Sequence, residues 1–137
     1  MTDDIVPIQP LQIVLKGNNT IILDAYNANP TSMEAALKNF ETIGSENKIV
    51  FIGEMAELGD ESEKEHRHIA ELLKQIHCDK IVLVGEKFAG YKSILNYQHF
   101  ENSQKASEWL KQNPLKNSYI LIKGSRSTKM EKIMEAL

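Results

Sequence analysis

The sequence predicts an α/β domain of three layers: a mostly parallel sheet covered by helices on both faces, with an N-terminal edge hairpin or antiparallel strand. Two observations carry this. Short apolar runs that end in glycine or charge recur at residues 20–23, 49–52, 81–84 and 119–122. Between them lie segments whose apolar residues fall at helical spacing, and apolar strands alternating with amphipathic helices pack as a buried parallel sheet. With 137 residues the chain makes one domain with a sizeable core and has no room for two.

The elements follow in order. Leu11-Gln12-Ile13-Val14-Leu15 alternates like a strand, Gly17-Asn18 is turn-prone, and Thr20-Ile21-Ile22-Leu23 is a second short run, so the pair reads as a hairpin or bent edge. A helix over residues 30–42 comes next, with Asn29 as N-cap, Pro30 at the first helical position, and Met33, Ala36, Leu37 and Phe40 on one face. Residues 48–52 form a strand that Gly53 closes. Asp60 and Glu63 have capping-box spacing for a helix to His77, whose buried stripe is Ile69, Leu72, Leu73 and Ile76. Ile81-Val82-Leu83-Val84 is an apolar strand ended by Gly85. Residues 86–96 are expected to carry a short helix and residues 97–100 a short strand, and Ser103 to cap a helix reaching Gln112. Tyr119-Ile120-Leu121-Ile122 is the last strand, and Thr128 with Glu131 makes a second capping box for the closing helix. Met33, Phe40 and Trp109 read as core. Residues 1–10 are a frayed N-terminal segment or a boundary, and residues 11–137 are the domain.

Composition excludes several function classes. The chain is 42% hydrophobic and 26% charged, which is globular, and its net charge of −3 leaves no basic footprint for nucleic acid or anionic lipid. No apolar stretch approaches the roughly 20 residues that span a bilayer. Met1-Thr2-Asp3-Asp4 opens acidic, unlike a secretory signal, and the single cysteine, Cys78, suits a reducing compartment, so a cytoplasmic protein is expected.

In open parallel sheets ligands bind outside the carboxyl ends of the strands. The unusual residues lie there. Asp24-Ala25-Tyr26-Asn27-Ala28-Asn29-Pro30-Thr31-Ser32-Met33 sets a carboxylate, a phenol and two amides between a strand end and a helix start. Asn29 and Pro30 suit capping as well as a ligand, whereas a strand end requires neither Asp24 nor Tyr26. A carboxylate there can grip ribose hydroxyls or magnesium-bound water, and amides can read a base edge. Gly53-Glu54-Met55-Ala56-Glu57-Leu58-Gly59-Asp60 puts acids and apolar residues between two glycines. Lys123-Gly124-Ser125-Arg126 sets two cations around a strand-to-helix turn, which suits an anion through side chains and outward backbone amides.

These three stretches resemble the C-terminal domain of the Mur ligases, the ATP-dependent enzymes that build the peptidoglycan stem peptide. Spacing and order agree from about residue 11 to residue 137. The second stretch, Gly-Glu-Met-x-Glu-Leu-Gly, is followed by an acidic helix carrying His66, and the third by Met130 and Glu131. Within the family they are most similar to the member that adds D-alanyl-D-alanine to UDP-N-acetylmuramoyl-tripeptide. The resemblance implies a Rossmann-like fold and a cytoplasmic ligase. There ATP phosphorylates the tripeptide's terminal carboxylate, and the dipeptide amine attacks the acyl phosphate. It further implies that Asp24, Tyr26, Asn27 and Asn29 face the ATP ribose and base. Glu54, Met55 and Glu57 would line the dipeptide side, where an acid meets the substrate ammonium, or Glu57 would only order the loop by accepting backbone hydrogen bonds. Arg126, beside the amides of Gly124 and Ser125, would receive the dipeptide carboxylate, with Lys123 tuning the field or reaching toward the reacting phosphate. Glu131 would either orient Arg126 or serve only the capping box with Thr128. No residue stands out as a general base.

The family's Gly-rich loop ending in Gly-Lys-Ser or Gly-Lys-Thr is missing from this sequence. Members also carry an arginine just before the first stretch, whereas the first arginine here is Arg67. The chain therefore reads as one domain of a longer enzyme whose central domain holds the phosphates and magnesium, inactive alone and without tightly bound ATP. Two alternatives stand beside this reading. Another member could add a different amino acid, although members of that kind differ at the third stretch. A receiver-like signalling domain shares the length and pattern, but its phosphate-accepting aspartate position reads Gly85-Glu86-Lys87.

The histidines offer no metal pair, because His66 and His68 diverge on a helix, and His77 suits a helix C-terminus. Cys78 has no activating neighbour in the sequence.

Overall fold

The computed structural model describes residues 12–24, 28–44, 46–91 and 97–137. Gly17, at φ 60°, turns the chain between β1 (Gln12–Lys16) and β2 (Asn19–Asp24), which pair antiparallel as the expected edge hairpin. The remaining strands, β3 (Lys48–Gly53), β4 (Lys80–Val84), β5 (Tyr97–Phe100) and β6 (Tyr119–Lys123), run parallel to β2. The six strands lie in the order β1-β2-β6-β3-β4-β5, so the last strand sits in the middle of the sheet. Counted from β2, a receiver would order its strands 2-1-3-4-5. This sheet does not, and the signalling alternative is set aside on topology.

Alternation along each strand feeds two cores. Val50 and Ile52 of β3 pack with Met33, Leu37 and Phe40 of α1 (Pro30–Glu41) and Ile69, Ala70 and Leu73 of α2 (Ser62–Gln75). Ile49 and Phe51 face the opposite way. They pack with Ala106 and Leu110 of α3 (Ser103–Gln112) and Ile133 of α4 (Glu131–Glu135). The predicted three-layer α/β arrangement is therefore present. Trp109 is only half-buried; its ring leans on Phe100, and the Lys80 ammonium lies over it at 5.5 Å.

Three of the four helix starts depart from expectation, each for a local reason. Asn29 caps α1 as expected: its Oδ1 accepts the Ser32 amide at 2.9 Å and its own amide donates to Ser32 Oγ at 3.1 Å. The Asp60–Glu63 box does not form. Gly59, at φ 55°, turns the chain into a 3-10 turn (Gly59–Glu61), and the Glu61 amide donates to the Leu58 carbonyl, so α2 is entered on backbone bonds. It stops at Gln75, short of His77, because Ile76 takes extended backbone and enters the core. Asn102, not Ser103, caps α3, its Oδ1 accepting the Lys105 amide at 2.9 Å. The Thr128–Glu131 box is absent too: Thr128 Oγ1 donates to the Ser125 carbonyl, and left-handed Lys129 (φ 53°) separates a 3-10 turn (Arg126–Thr128) from α4. Where a helix over residues 86–96 was expected, residues 86–88 make a single 3-10 turn that Ala89 ends in extended backbone; residues 92–96 lie outside the described residues.

Candidate functional site

The five parallel strands end along one edge. Side by side across it stand Asp24, Lys123, Gly53 with Glu54, Gly85 and Glu101. β2 and β3 lead to α1 and α2 on one face, while β6 between them leads to α4 on the other. Such a divergence of connections is where doubly wound sheets bind ligands. The three stretches singled out in the sequence thus meet at the sheet's switch point.

Lys123, expected to tune the field or reach toward the reacting phosphate, is turned inward. It is 1% exposed, and its Nζ donates to Asp24 Oδ2 at 2.7 Å. The last side chain of a central strand is walled by both neighbours, so this ammonium is held inside the edge and its charge is balanced by the first stretch. The outward amide expected at Ser125 is also engaged, donating to the Glu54 carbonyl at 3.1 Å. Ser125 is buried, its hydroxyl 3.0 Å from Ser127 Oγ and 3.3 Å from Thr128 Oγ1. Gly124 is closed beneath Met130 and Thr128. Arg126 and Glu131 are exposed at the edge, on the 3-10 turn and the first residue of α4.

Glu54 is held at its backbone and at one carboxylate oxygen. Its amide donates to the Val84 carbonyl at 3.0 Å, and Oε2 accepts the Lys87 amide at 3.1 Å. Gly85 makes room for that carboxylate; a Cβ there would stand 2.4 Å from Glu54 Oε2. Glu54 also borders a cavity of about 350 Å³ whose wall includes Glu101, Asn102, Thr128, Lys129 and Lys132. Met55, expected on the substrate side, is instead wholly buried in the core, because the chain turns inward after β3. Glu57 is exposed with left-handed backbone, φ 63°. Tyr26 and Asn27 lie outside the described residues.

His66 is the site residue that the sequence reading left without a role. It is fully buried; its Nε2 accepts the Met55 amide at 2.9 Å, its Nδ1 lies 2.7 Å from the Ser62 carbonyl, and its ring meets Phe88 edge-on. Burial pushes its pKa below the ordinary 6.5, against the opposing pull of the Ser62 carbonyl and of Glu54. The signal was present: residues 66, 69, 70 and 73 share one helical face.

The chain matches the family model described as Mur ligase, glutamate ligase domain, over residues 11–126. It belongs to the Mur ligase family. Among curated relatives, the UDP-N-acetylmuramoyl-tripeptide--D-alanyl-D-alanine ligase of Buchnera aphidicola (subsp. Acyrthosiphon pisum) is 41% identical over 128 residues, covering 91% of this chain and 28% of that protein. The ligase of the same name from Escherichia coli is 33% identical over 135 residues, covering 96% of this chain and 30% of that one. This chain thus spans less than a third of the length of the relatives it matches. Among solved structures, MurF from Acinetobacter baumannii superposes with a TM-score of 0.77 at 32% identity, over 91% of this chain and 29% of that one. MurF from Thermotoga maritima, solved in complex with ADP, shares the fold at a TM-score of 0.76 and 23% identity, over 96% of this chain and 30% of that one.

Elsewhere this Mur ligase domain carries little chemistry. Cys78 is half-buried, and burial first, then Asp79, push its thiol up to about 11, which makes it a poor nucleophile. Among the described residues no group of three or more His, Cys, Asp or Glu is placed to hold a metal ion, and no helix is long and apolar enough to cross a membrane.

Proposed function

We propose that this chain is the C-terminal domain of an ATP-dependent ligase that joins D-alanyl-D-alanine to UDP-N-acetylmuramoyl-tripeptide in cytoplasmic peptidoglycan synthesis. The 41% identity to a ligase of that name, across 91% of this chain, carries the reading. ATP and magnesium act in the full-length enzyme, with the phosphates and metal held outside this domain. The domain's own work is orientation and electrostatics.

A dipeptide zwitterion needs an acid at one end and a cation at the other. Glu54 and Glu57 are the acids offered, and Arg126 the cation. Arg126 can grip a carboxylate through two parallel N–H bonds, with the Gly124–Ser125 turn beneath it and Glu131 orienting it. Lys123, balanced by Asp24, supports the edge from inside rather than meeting the carboxylate, and Met55 anchors its loop from the core. Recognition of the ribose and base is assigned to Asp24 and Asn29 together with Tyr26 and Asn27.

The test is phosphate release by the full-length enzyme. It should require UDP-N-acetylmuramoyl-tripeptide and D-alanyl-D-alanine together. Use of a single amino acid in place of the dipeptide would assign the domain to another Mur-type ligase. Arg126→Lys should raise the Michaelis constant for the dipeptide roughly tenfold or more, the cost of a lost charge-assisted contact, and leave that for ATP unchanged. A defect confined to ATP would move Arg126 out of the dipeptide pocket.

A further inference from the structure

We infer that His66, which touches no substrate, is the positioning residue of this edge: it orients the peptide unit between Glu54 and Met55, and through that unit the second and third stretches together. The inference rests on the ligase reading above. Its geometry begins with the tautomer. The Ser62 carbonyl, 2.7 Å from Nδ1, can only accept, so Nδ1 carries the proton. Nε2 is then bare and accepts the Met55 N–H at 2.9 Å. An apolar side chain of the same volume would fill this pocket against Phe88. Only a group with a donor toward Ser62 and an acceptor toward Met55 holds both partners.

The peptide unit held by Nε2 has a second face. Its N–H belongs to Met55 and its carbonyl to Glu54, and that carbonyl accepts the Ser125 amide at 3.1 Å. A peptide unit is planar, so its two ends cannot be aimed independently. His66 thereby sets the direction of the Glu54 carbonyl, which sets Ser125, the residue next to Arg126. The same unit fixes where Glu54 leaves the strand. One buried imidazole therefore registers the acid proposed for the substrate ammonium with the cation proposed for its carboxylate. The charged groups around the ring are Glu54, Lys87 and Glu65. A second proton on the ring would set N–H against N–H at Met55 and release this peptide unit.

Two amide substitutions separate the two ring nitrogens. In His66→Gln the amide reaches as far as Nε2 and can still accept from Met55. In His66→Asn it reaches only as far as Nδ1 and can bond Ser62 alone. Amide hydrogen exchange on this chain should quicken about tenfold or more at both Met55 and Ser125 in the Asn variant and return toward wild type in the Gln variant. In the full-length enzyme the Asn variant should raise the dipeptide Michaelis constant roughly tenfold with that for ATP unmoved, and the Gln variant should rescue it. Ser125 exchange and dipeptide saturation both unmoved in the Asn variant, or equal defects in the two variants, would overturn the inference. Should the Asn variant not fold, nitrogen chemical shifts of the wild-type ring decide, because a proton on Nε2 rules out the Met55 bond. A wild-type enzyme that ligates no dipeptide would instead overturn the functional reading, while the exchange and tautomer measurements still decide the positioning.

Discussion

Gly53 and Gly124, at the ends of two adjacent parallel strands, approach so closely that a Cβ on Gly124 would stand 2.9 Å from the Cα of Gly53. Met130 and Thr128 fold over both glycines, with the Met130 Sδ 2.8 Å from where a Cβ of Gly53 would lie. Gly53 of the second stretch and Gly124 of the third are thus explained by packing. Together they let the start of the closing helix lie directly on the strand ends, bringing Arg126 and Glu54 to one edge.

The obstacles differ, and so should the substitutions. A Cβ at Gly53 meets mainly the end of a flexible thioether, whereas one at Gly124 also meets backbone. Gly124→Ala should destabilise this chain by about 2–3 kcal/mol and Gly53→Ala by about 1 kcal/mol, the range for overpacking a tight core. Urea midpoints measure both. Equal losses would mean that Met130 is as rigid as the strand.

The Asp24–Lys123 pair makes a second stability prediction. Asp24 is 23% exposed, so its charge stays partly solvated, but the ammonium it holds is 1% exposed. Asp24→Ala leaves that ammonium buried without its carboxylate and should cost on the order of 3 kcal/mol. Removing both charges, as in Asp24→Ala with Lys123→Met, should recover much of the loss, because a methionine can lie where the ammonium lay without being desolvated. A double variant no more stable than Asp24→Ala alone would show that the charge of Lys123 is satisfied by other means.

What the sequence made legible follows from what it encodes locally. Strands and helix faces were readable because apolar spacing is a property of neighbouring residues, and the edge was readable because each stretch follows a strand. Burial of Lys123 was not, since only strand order puts the last strand at the sheet's centre. Helix entry was read less well than helix face. Asn102 and Ser103 are both capping residue types, and the left-handed backbone of Lys129, which displaces the Thr128–Glu131 box, leaves no mark in a lysine. His66 shows spacing and chemistry in conflict: its position belongs to the apolar stripe, but its polarity argued against counting it there.

Acid should weaken the fold through His66. Its folded pKa lies below the unfolded value of about 6.5, with burial the largest cause, so between the two values the unfolded chain binds more protons than the folded one. Stability rises with pH in that window; the contribution is whole above about pH 6.5 and is lost as pH falls toward the folded pKa. One such proton gives a slope approaching about 1.4 kcal/mol per pH unit. Denaturation midpoints of wild type and His66→Gln, compared between about pH 7.5 and 5, should converge as pH falls, since the other histidines are common to both. Parallel curves would place the folded pKa of His66 at its ordinary value.

Asn29 offers a way to separate architecture from recognition. Its Oδ1 already accepts the Ser32 amide at 2.9 Å, so the contact with a nucleotide base to test is one donated by its amide nitrogen. Asn29→Asp keeps an acceptor for Ser32 and places a negative charge at the positive end of α1, so the cap survives, while the donor toward a base is lost. Asn29→Ala removes both. Thermal unfolding of this chain should therefore show Asp near wild type and Ala less stable by about 1 kcal/mol. In the full-length enzyme both variants should raise the Michaelis constant for ATP by a similar factor, roughly five- to tenfold for one lost hydrogen bond. If the Asp variant binds ATP as wild type does and only the Ala variant is impaired, Asn29 acts by holding the helix start, and reading the base falls to other residues of the first stretch.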